Sequence, residues 1–241
     1  MPSGILAGTA IYDLPGLELQ PKMVQTEFGE VQIFQGVGQD QDLIFLPRHG
    51  IDHDVPPHRV NYRAHIKAFQ KLGVNAVLAA YAVGSINTRI PPLSLVVLDD
   101  FIDFTSGRKA TFFEGGKQGL EHVDMSQPFD PELRKRLLET ALSMGMEVRP
   151  GGVYVATDGP RLETPAEIAM FQKWGGDVVG MTAVPECVLA KELEIPFAGL
   201  AFSVNWAAGI EEMVTLVEEG LEELTRDIIK LFISTLRGID L

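Results

Sequence analysis

Apolar and polar positions change their spacing several times along the chain, and each change marks an element. Gly4–Gly8 is a short apolar run that ends in a glycine-containing turn, which predicts a buried strand. Alternation around Val31–Phe34, and again around Leu43–Leu46, predicts an antiparallel pair that stops just before Arg48. In "HRVNYRAHIKAFQKLG", Val60, Ala64 and Phe69 fall near helical spacing, and Gly73 stands where a C-cap belongs. "VNAVLAAYAVG" is apolar almost throughout, as a strand buried on both faces of a parallel sheet must be.

The second half repeats the strand–helix rhythm. "DPELRKRLLETALSMG" predicts an amphipathic helix entered through Asp130–Pro131 and closed at Gly145. "GVYVATDGPRLETPAEIAMFQKWG" reads as a strand, a Gly-Pro break and a helix, with Thr164-Pro165-Ala166-Glu167 as a capping box. "DVVGMTAVPECVLAKEL" and "PFAGLAFSVNWA" predict two further strands. A long C-terminal helix is predicted to carry Met213, Val217, Leu221, Leu224, Ile228 and Phe232. No repeat, linker or low-complexity tract interrupts the pattern. The expectation is therefore one α/β domain over 1–241, with a mixed, mostly parallel central sheet flanked by helices. Ligands of such folds collect at the carboxyl ends of strands. Thr9, Arg48, Tyr81–Gly84, Glu163, Thr182 and Asn205 all fall just past predicted strands, which argues for one shared site.

Composition narrows the classes. At 241 residues, 46% of them hydrophobic, the chain has the makings of a substantial core. Its apolar runs are too short to span a bilayer, and the N-terminal stretch lacks the basic and apolar regions of a secretory signal. Cys187 is the single cysteine, so no disulfide forms within the chain, and a cytoplasmic setting is expected. A net charge of −13 without a basic stripe speaks against nucleic acid. A local cleft can still bind a small anion if it gathers positive charge and backbone N–H groups.

Four of the five histidines fall between Phe45 and His65. Pro56–Pro57 keeps His49, His53 and His58 from sharing a helix, so a metal site is disfavoured, and His53, His58 and His65 read as solvated loop positions. Arg48–His49 is different. At a strand end, a guanidinium fork can grip phosphate. "GILAGTA" offers a turn with backbone N–H groups and a hydroxyl, without the spacing of a Walker loop or a dinucleotide fingerprint. Glu163 alone reads equally as a dipole-compensating acid at a helix start, and Met181 alone as core.

Taken in order, "GILAGTA", "LPRHG", "VNYRA", "YAVGSI", "DFTSGR", "HVDMSQPFD", "GVYVATDGPRLET", "DVVGMTAVPE" and "FSVNWAAG" resemble the trimeric purine nucleoside phosphorylase and methylthioadenosine phosphorylase family. The likeness is strongest to its S-methyl-5'-thioinosine phosphorylase branch and runs from Gly4 to the C-terminal helix. It implies phosphorolysis of a 6-oxopurine nucleoside, S-methyl-5'-thioinosine foremost, to hypoxanthine and 5-methylthioribose-1-phosphate. Inorganic phosphate would be the co-substrate, with no metal or organic cofactor. The resemblance puts phosphate against Thr9, Arg48, His49, Thr182 and the backbone at Ala82. It puts the purine against Ala82, Gly84, Leu162, Glu163, Met181, Asn205, Trp206 and Ala207, with Asn205 and His49 as the catalytic residues. Val217 would face the 5' substituent, and His122 would reach a neighbour's site in a homotrimer. Ala7, Ala10 and Tyr81 depart from the family pattern around the phosphate. The alternatives are a methylthioadenosine phosphorylase, a general 6-oxopurine nucleoside phosphorylase, a nucleoside hydrolase and a non-catalytic nucleoside-binding protein.

Overall fold

The computed structural model describes every residue except 12, 13, 15, 117, 118 and 239–241. Among the described residues, strands and α-helices follow in the order β1 (Ser3–Ala7), β2 (Leu19–Thr26), β3 (Gly29–Gly36), β4 (Leu43–Pro47), α1 (Tyr62–Lys71), β5 (Val77–Ser85), β6 (Leu95–Val97), β7 (Asp100–Asp103), α2 (Pro131–Ser143), β8 (Val148–Arg149), β9 (Val153–Ala156), α3 (Pro165–Lys173), β10 (Val178–Gly180), α4 (Ala183–Glu192), β11 (Phe197–Trp206) and α5 (Leu221–Arg237).

The strands join one mixed sheet whose main path runs β2-β3-β4-β1-β5-β10-β9-β7, with β11 pairing β5 and β6, and β6 pairing β8. Parallel pairing predominates, as in β1 with β4 and β5, and β5 with β11. β3 meets β4 antiparallel at Phe34↔Phe45, as the alternation predicted. Side-chain alternation divides the core between two faces. Leu6, Ile66, Phe69 and Leu189 join one cluster with α1 and α4, while Ile5, Leu137, Ile228 and Phe232 join another with α2 and α5.

The caps explain several boundaries. The Asp130 side chain accepts from Leu133 N–H at 2.7 Å, and Thr164 and Glu167 complete the predicted capping box. Gly73 and Gly145 follow α1 and α2 with φ of 69° and 70°, the left-handed conformation that glycine supplies without steric cost.

Three expectations need correction. α4 occupies a stretch read as strand: its non-helical Val184 and the Pro185 behind it hide the helical onset from pattern reading. α5 begins only at Leu221, after Gly220 at φ 83°, so Met213 and Val217 belong to a preceding loop. His65 lies within α1 with its Nδ1 sealed from solvent, so it is no loop residue.

Candidate functional site

β5 creates the site through a gap in its pairing. Along one edge it pairs with β1 only as far as Ala79, and with β10 only from Gly84 onward. Between them, along that edge, Ala80 and Ala82 have no strand partner among the described residues. The carbonyl of Ala80 instead accepts from Arg48 Nη1 at 3.0 Å. By the two-residue alternation of a strand, Ala82 N–H faces the same gap.

A cleft of about 410 Å³ opens there, and its walls include Thr9, Arg48, His49, Ala82, Gly84, Leu162, Glu163, Met181, Thr182 and Asn205. Residues far apart in sequence are thus brought to one place. Trp206 and Ala207 follow Asn205 at the end of β11 but are not part of that wall. Val217 lines an adjoining chamber, also of about 410 Å³, which shares Thr9, Val204 and Leu216 with the cleft. Its backbone N–H donates to Val204 carbonyl at 2.8 Å, which holds the loop against β11. His122 does not join the cleft; it lines a separate cavity with Lys191 and Glu194.

On one wall Arg48 is not a free fork. Its Nε and Nη2 donate to the two oxygens of Glu186 at 2.6 and 3.0 Å, and both side chains are buried, at 2% and 0% exposure. Tyr81 adds a hydroxyl to Glu186 at 2.8 Å and places its ring 4.6 Å from the guanidinium carbon. Burial works against the Arg48 charge, but Glu186 more than offsets it and holds the pKa above its ordinary value. Of the five N–H groups, three are committed, which leaves one on each terminal nitrogen.

Gly8 makes this wall possible. A Cβ there would stand 2.7 Å from His49 Cδ2 and 3.0 Å from Arg48 Nη1. His49 Nδ1 sits 2.8 Å from Val55 carbonyl, which can only accept, so Nδ1 carries the proton and a neutral ring presents a lone pair at Nε2. Burial, then the Arg48 charge, push its pKa down to about 4, which keeps the ring neutral near pH 7. Thr182 heads α4 without capping it, so its hydroxyl is not used by the helix. Its N–H donates to Tyr154 Oη at 3.1 Å, and burial pushes that phenol up to about 12.

Asn205 and Glu163, which line the same cleft, are each held by a local hydrogen bond. β11 carries a register shift between Ser203 and Asn205 where it pairs with β5, a bulge that re-aims the following side chain. Asn205 Nδ2 donates to Trp206 carbonyl at 2.7 Å. A carbonyl partner fixes which end is nitrogen, leaving Oδ1 and one N–H uncommitted by that bond. The Glu163 carboxylate accepts from Thr157 Oγ1 at 2.6 Å. Gly159, at φ 66°, lets the intervening turn pack on Met181, whose sulfur a Cβ would overlap. Arg108 links the segments that carry Thr182 and Glu163, donating to Val184 carbonyl at 2.6 Å and to those of Thr157 and Asp158 at 3.1 Å.

Sequence reasoning missed Glu186, Thr157, Arg108 and His53 as members of this neighbourhood. Glu186 falls in the segment that the apolar pattern presents as strand. His53, expected as a solvated loop residue, is exposed but turns onto the cleft, with Nε2 3.3 Å from Thr9 Oγ1. Tyr81 does not line the cleft; it is 1% exposed and serves Glu186 from behind the wall.

Fold and cleft together define a class, and the sequence matches it from end to end: residues 3–237 fit the Phosphorylase superfamily, and the chain belongs to that family. It is 43% identical over 240 residues to 6-oxopurine nucleoside phosphorylase of Pyrococcus furiosus, covering 96% of this chain and 91% of that one. A probable S-methyl-5'-thioinosine phosphorylase of Methanopyrus kandleri is 45% identical over 220 residues, covering 91% and 84%. Among solved structures, a double mutant of adenosine/methylthioadenosine phosphorylase from Schistosoma mansoni in complex with adenine superposes with a TM-score of 0.90. It is 30% identical, with coverage of 98% of this chain and 91% of that one.

Proposed function

We propose that the cleft phosphorolyses a 6-oxopurine nucleoside, S-methyl-5'-thioinosine foremost, releasing hypoxanthine and 5-methylthioribose-1-phosphate. The observation that carries this reading is the gathering of Thr9, Arg48, His49 and Thr182 with Glu163 and Asn205 around one cleft. The chain's relatives include proteins named for both 6-oxopurine nucleosides and S-methyl-5'-thioinosine.

Breaking an N-glycosidic bond builds positive charge on the sugar ring and negative charge on the departing base. Groups that meet those charges as they develop lower the barrier. Phosphate binds through the hydroxyls of Thr9 and Thr182, the Ala82 N–H and the two spare N–H groups of Arg48. Neutral His49 accepts from a protonated phosphate oxygen at Nε2. Because Glu186 already balances Arg48, directed N–H and O–H donors carry more of this binding than net charge does.

At the base, the Glu163 carboxylate accepts from N1–H. Asn205 donates its remaining N–H to O6 and accepts from N7–H as charge builds on the ring. Leu162, Met181 and Gly84 line the cleft around the ring, and Trp206 and Ala207 follow Asn205 in the chain. Ala10, Val204, Leu216, Val217 and Leu221 give the adjoining chamber an apolar lining that suits a methylthio group. The whole chain, 1–241, acts as one cytoplasmic domain without metal or organic cofactor. It assembles as a homotrimer in which His122 serves the neighbouring cleft.

The test is base release from inosine, methylthioinosine and methylthioadenosine, each with and without phosphate. Phosphate-dependent turnover fastest on methylthioinosine is expected. Equal release in phosphate-free buffer would indicate a hydrolase instead.

A further inference from the structure

We propose that His53 is a positioning residue on the phosphate side, donating Nε2–H to Thr9 Oγ1 so that the Thr9 hydroxyl proton is presented to the anion. This inference rests on the phosphorylase reading above. Its basis is the shape of the loop after β4. His53 N–H donates to Gly50 carbonyl at 3.3 Å, and Val55 N–H to His49 carbonyl at 3.0 Å, so the chain folds back over Arg48–His49. His53 itself adopts φ 53°, a left-handed conformation uncommon outside glycine. That conformation brings its Nε2 to 3.3 Å from Thr9 Oγ1 and its ring edge-on to His49, with centroids 5.1 Å apart.

Proton counting gives the direction. A threonine hydroxyl has one proton and two lone pairs. When that hydroxyl donates its proton in a hydrogen bond to a phosphate oxyanion, any group still facing the oxygen must be a donor. Nε2–H of His53 is such a donor, held on the loop that also carries His49. His53 thus acts through Thr9 rather than on the reacting atoms.

The experiment uses the full chain, with phosphate varied at saturating methylthioinosine and then the reverse. His53→Asn keeps a residue that tolerates left-handed backbone but lacks the reach of imidazole, and His53→Gly removes backbone strain altogether. Both should raise KM for phosphate about fivefold, the scale of one hydrogen bond, while KM for the nucleoside stays within about twofold by the same reasoning. His53→Gln, which restores an N–H at longer reach, should recover part of the loss. In a Thr9→Val background, His53→Asn should add nothing further. Unchanged phosphate KM in both His53→Asn and His53→Gly overturns the proposal, and so does a full additional loss in the Thr9→Val background. Wild-type turnover without phosphate would instead sink the phosphorylase reading, so the two failures are distinguishable.

Discussion

Replacing Glu186 with alanine should both destabilise the protein and expose what Arg48 is for. The carboxylate accepts two N–H groups from Arg48, at 2.6 and 3.0 Å, and the Tyr81 hydroxyl at 2.8 Å, and all three side chains are buried. Removing one partner of a buried pair costs about 3–5 kcal/mol, because the other charge stays behind unpaired. Against a total stability of roughly 5–15 kcal/mol, that is a large fraction. Urea unfolding should therefore show a midpoint far below wild type with an unchanged slope. Phosphate should then stabilise the variant more than it stabilises wild type, since the anion supplies the missing counter-charge. Replacing both members together, Arg48→Met with Glu186→Leu, should restore most of the stability, as apolar substitutes for buried ion pairs commonly do. Turnover should not return. A loss under about 1 kcal/mol for Glu186→Ala, well below the buried-pair range, would refute the reasoning. Equal phosphate stabilisation of variant and wild type would remove Arg48 from the anion wall.

Other outcomes follow from the same geometry. Thr157→Val removes the 2.6 Å bond that orients Glu163, so kcat/KM for methylthioinosine should fall about 10–100-fold, the worth of a hydrogen bond to a charged group. Steady-state kinetics would check this, and a change below about twofold, less than the weakest such bond, would count against Glu163 as the N1 acceptor. Asn205→Asp should move preference toward methylthioadenosine, read as the ratio of kcat/KM for the two nucleosides; a wild type that already prefers the adenine nucleoside would contradict the assignment. Burial holds His49 at about 4 and His65 at about 3, below the roughly 6.5 of an unfolded histidine. As pH falls from about 6.5 toward 4, the unfolded chain binds these protons and the folded one does not, so stability is complete above that window and declines within it. Each group contributes up to about 1.4 kcal/mol per pH unit. Urea midpoints at about pH 7.5 and about pH 5, on either side of the unfolded histidine value, should differ accordingly. Substituting both histidines with glutamine should flatten the difference.

The periodicity of the chain is enough to determine its class. Continuous apolar runs at Val77–Val83 can be buried only on both faces, and helices such as α2 and α3 carry their own start and stop signals in Asp130, Gly145 and the Thr164–Glu167 box. These are local effects, so neighbouring residues suffice to reveal them. The short strands β6 and β8 have no such legibility, because three or two residues carry too little period, and they form only where β11 supplies an edge for β6 and β6 one for β8. Strand-end placement, itself read from local pattern, also draws Thr9, Arg48, Glu163, Thr182 and Asn205 toward one site. What the chain cannot reveal by itself is which charges cancel and which side chains turn inward. Arg48 meets Glu186 across 138 positions of sequence, and Tyr81 joins them from a third segment. Burial is what makes that pairing obligatory, and burial belongs to the assembled sheet rather than to any stretch of residues. His53 shows the same limit at shorter range: only the backbone's left-handed turn decides that its ring reaches Thr9.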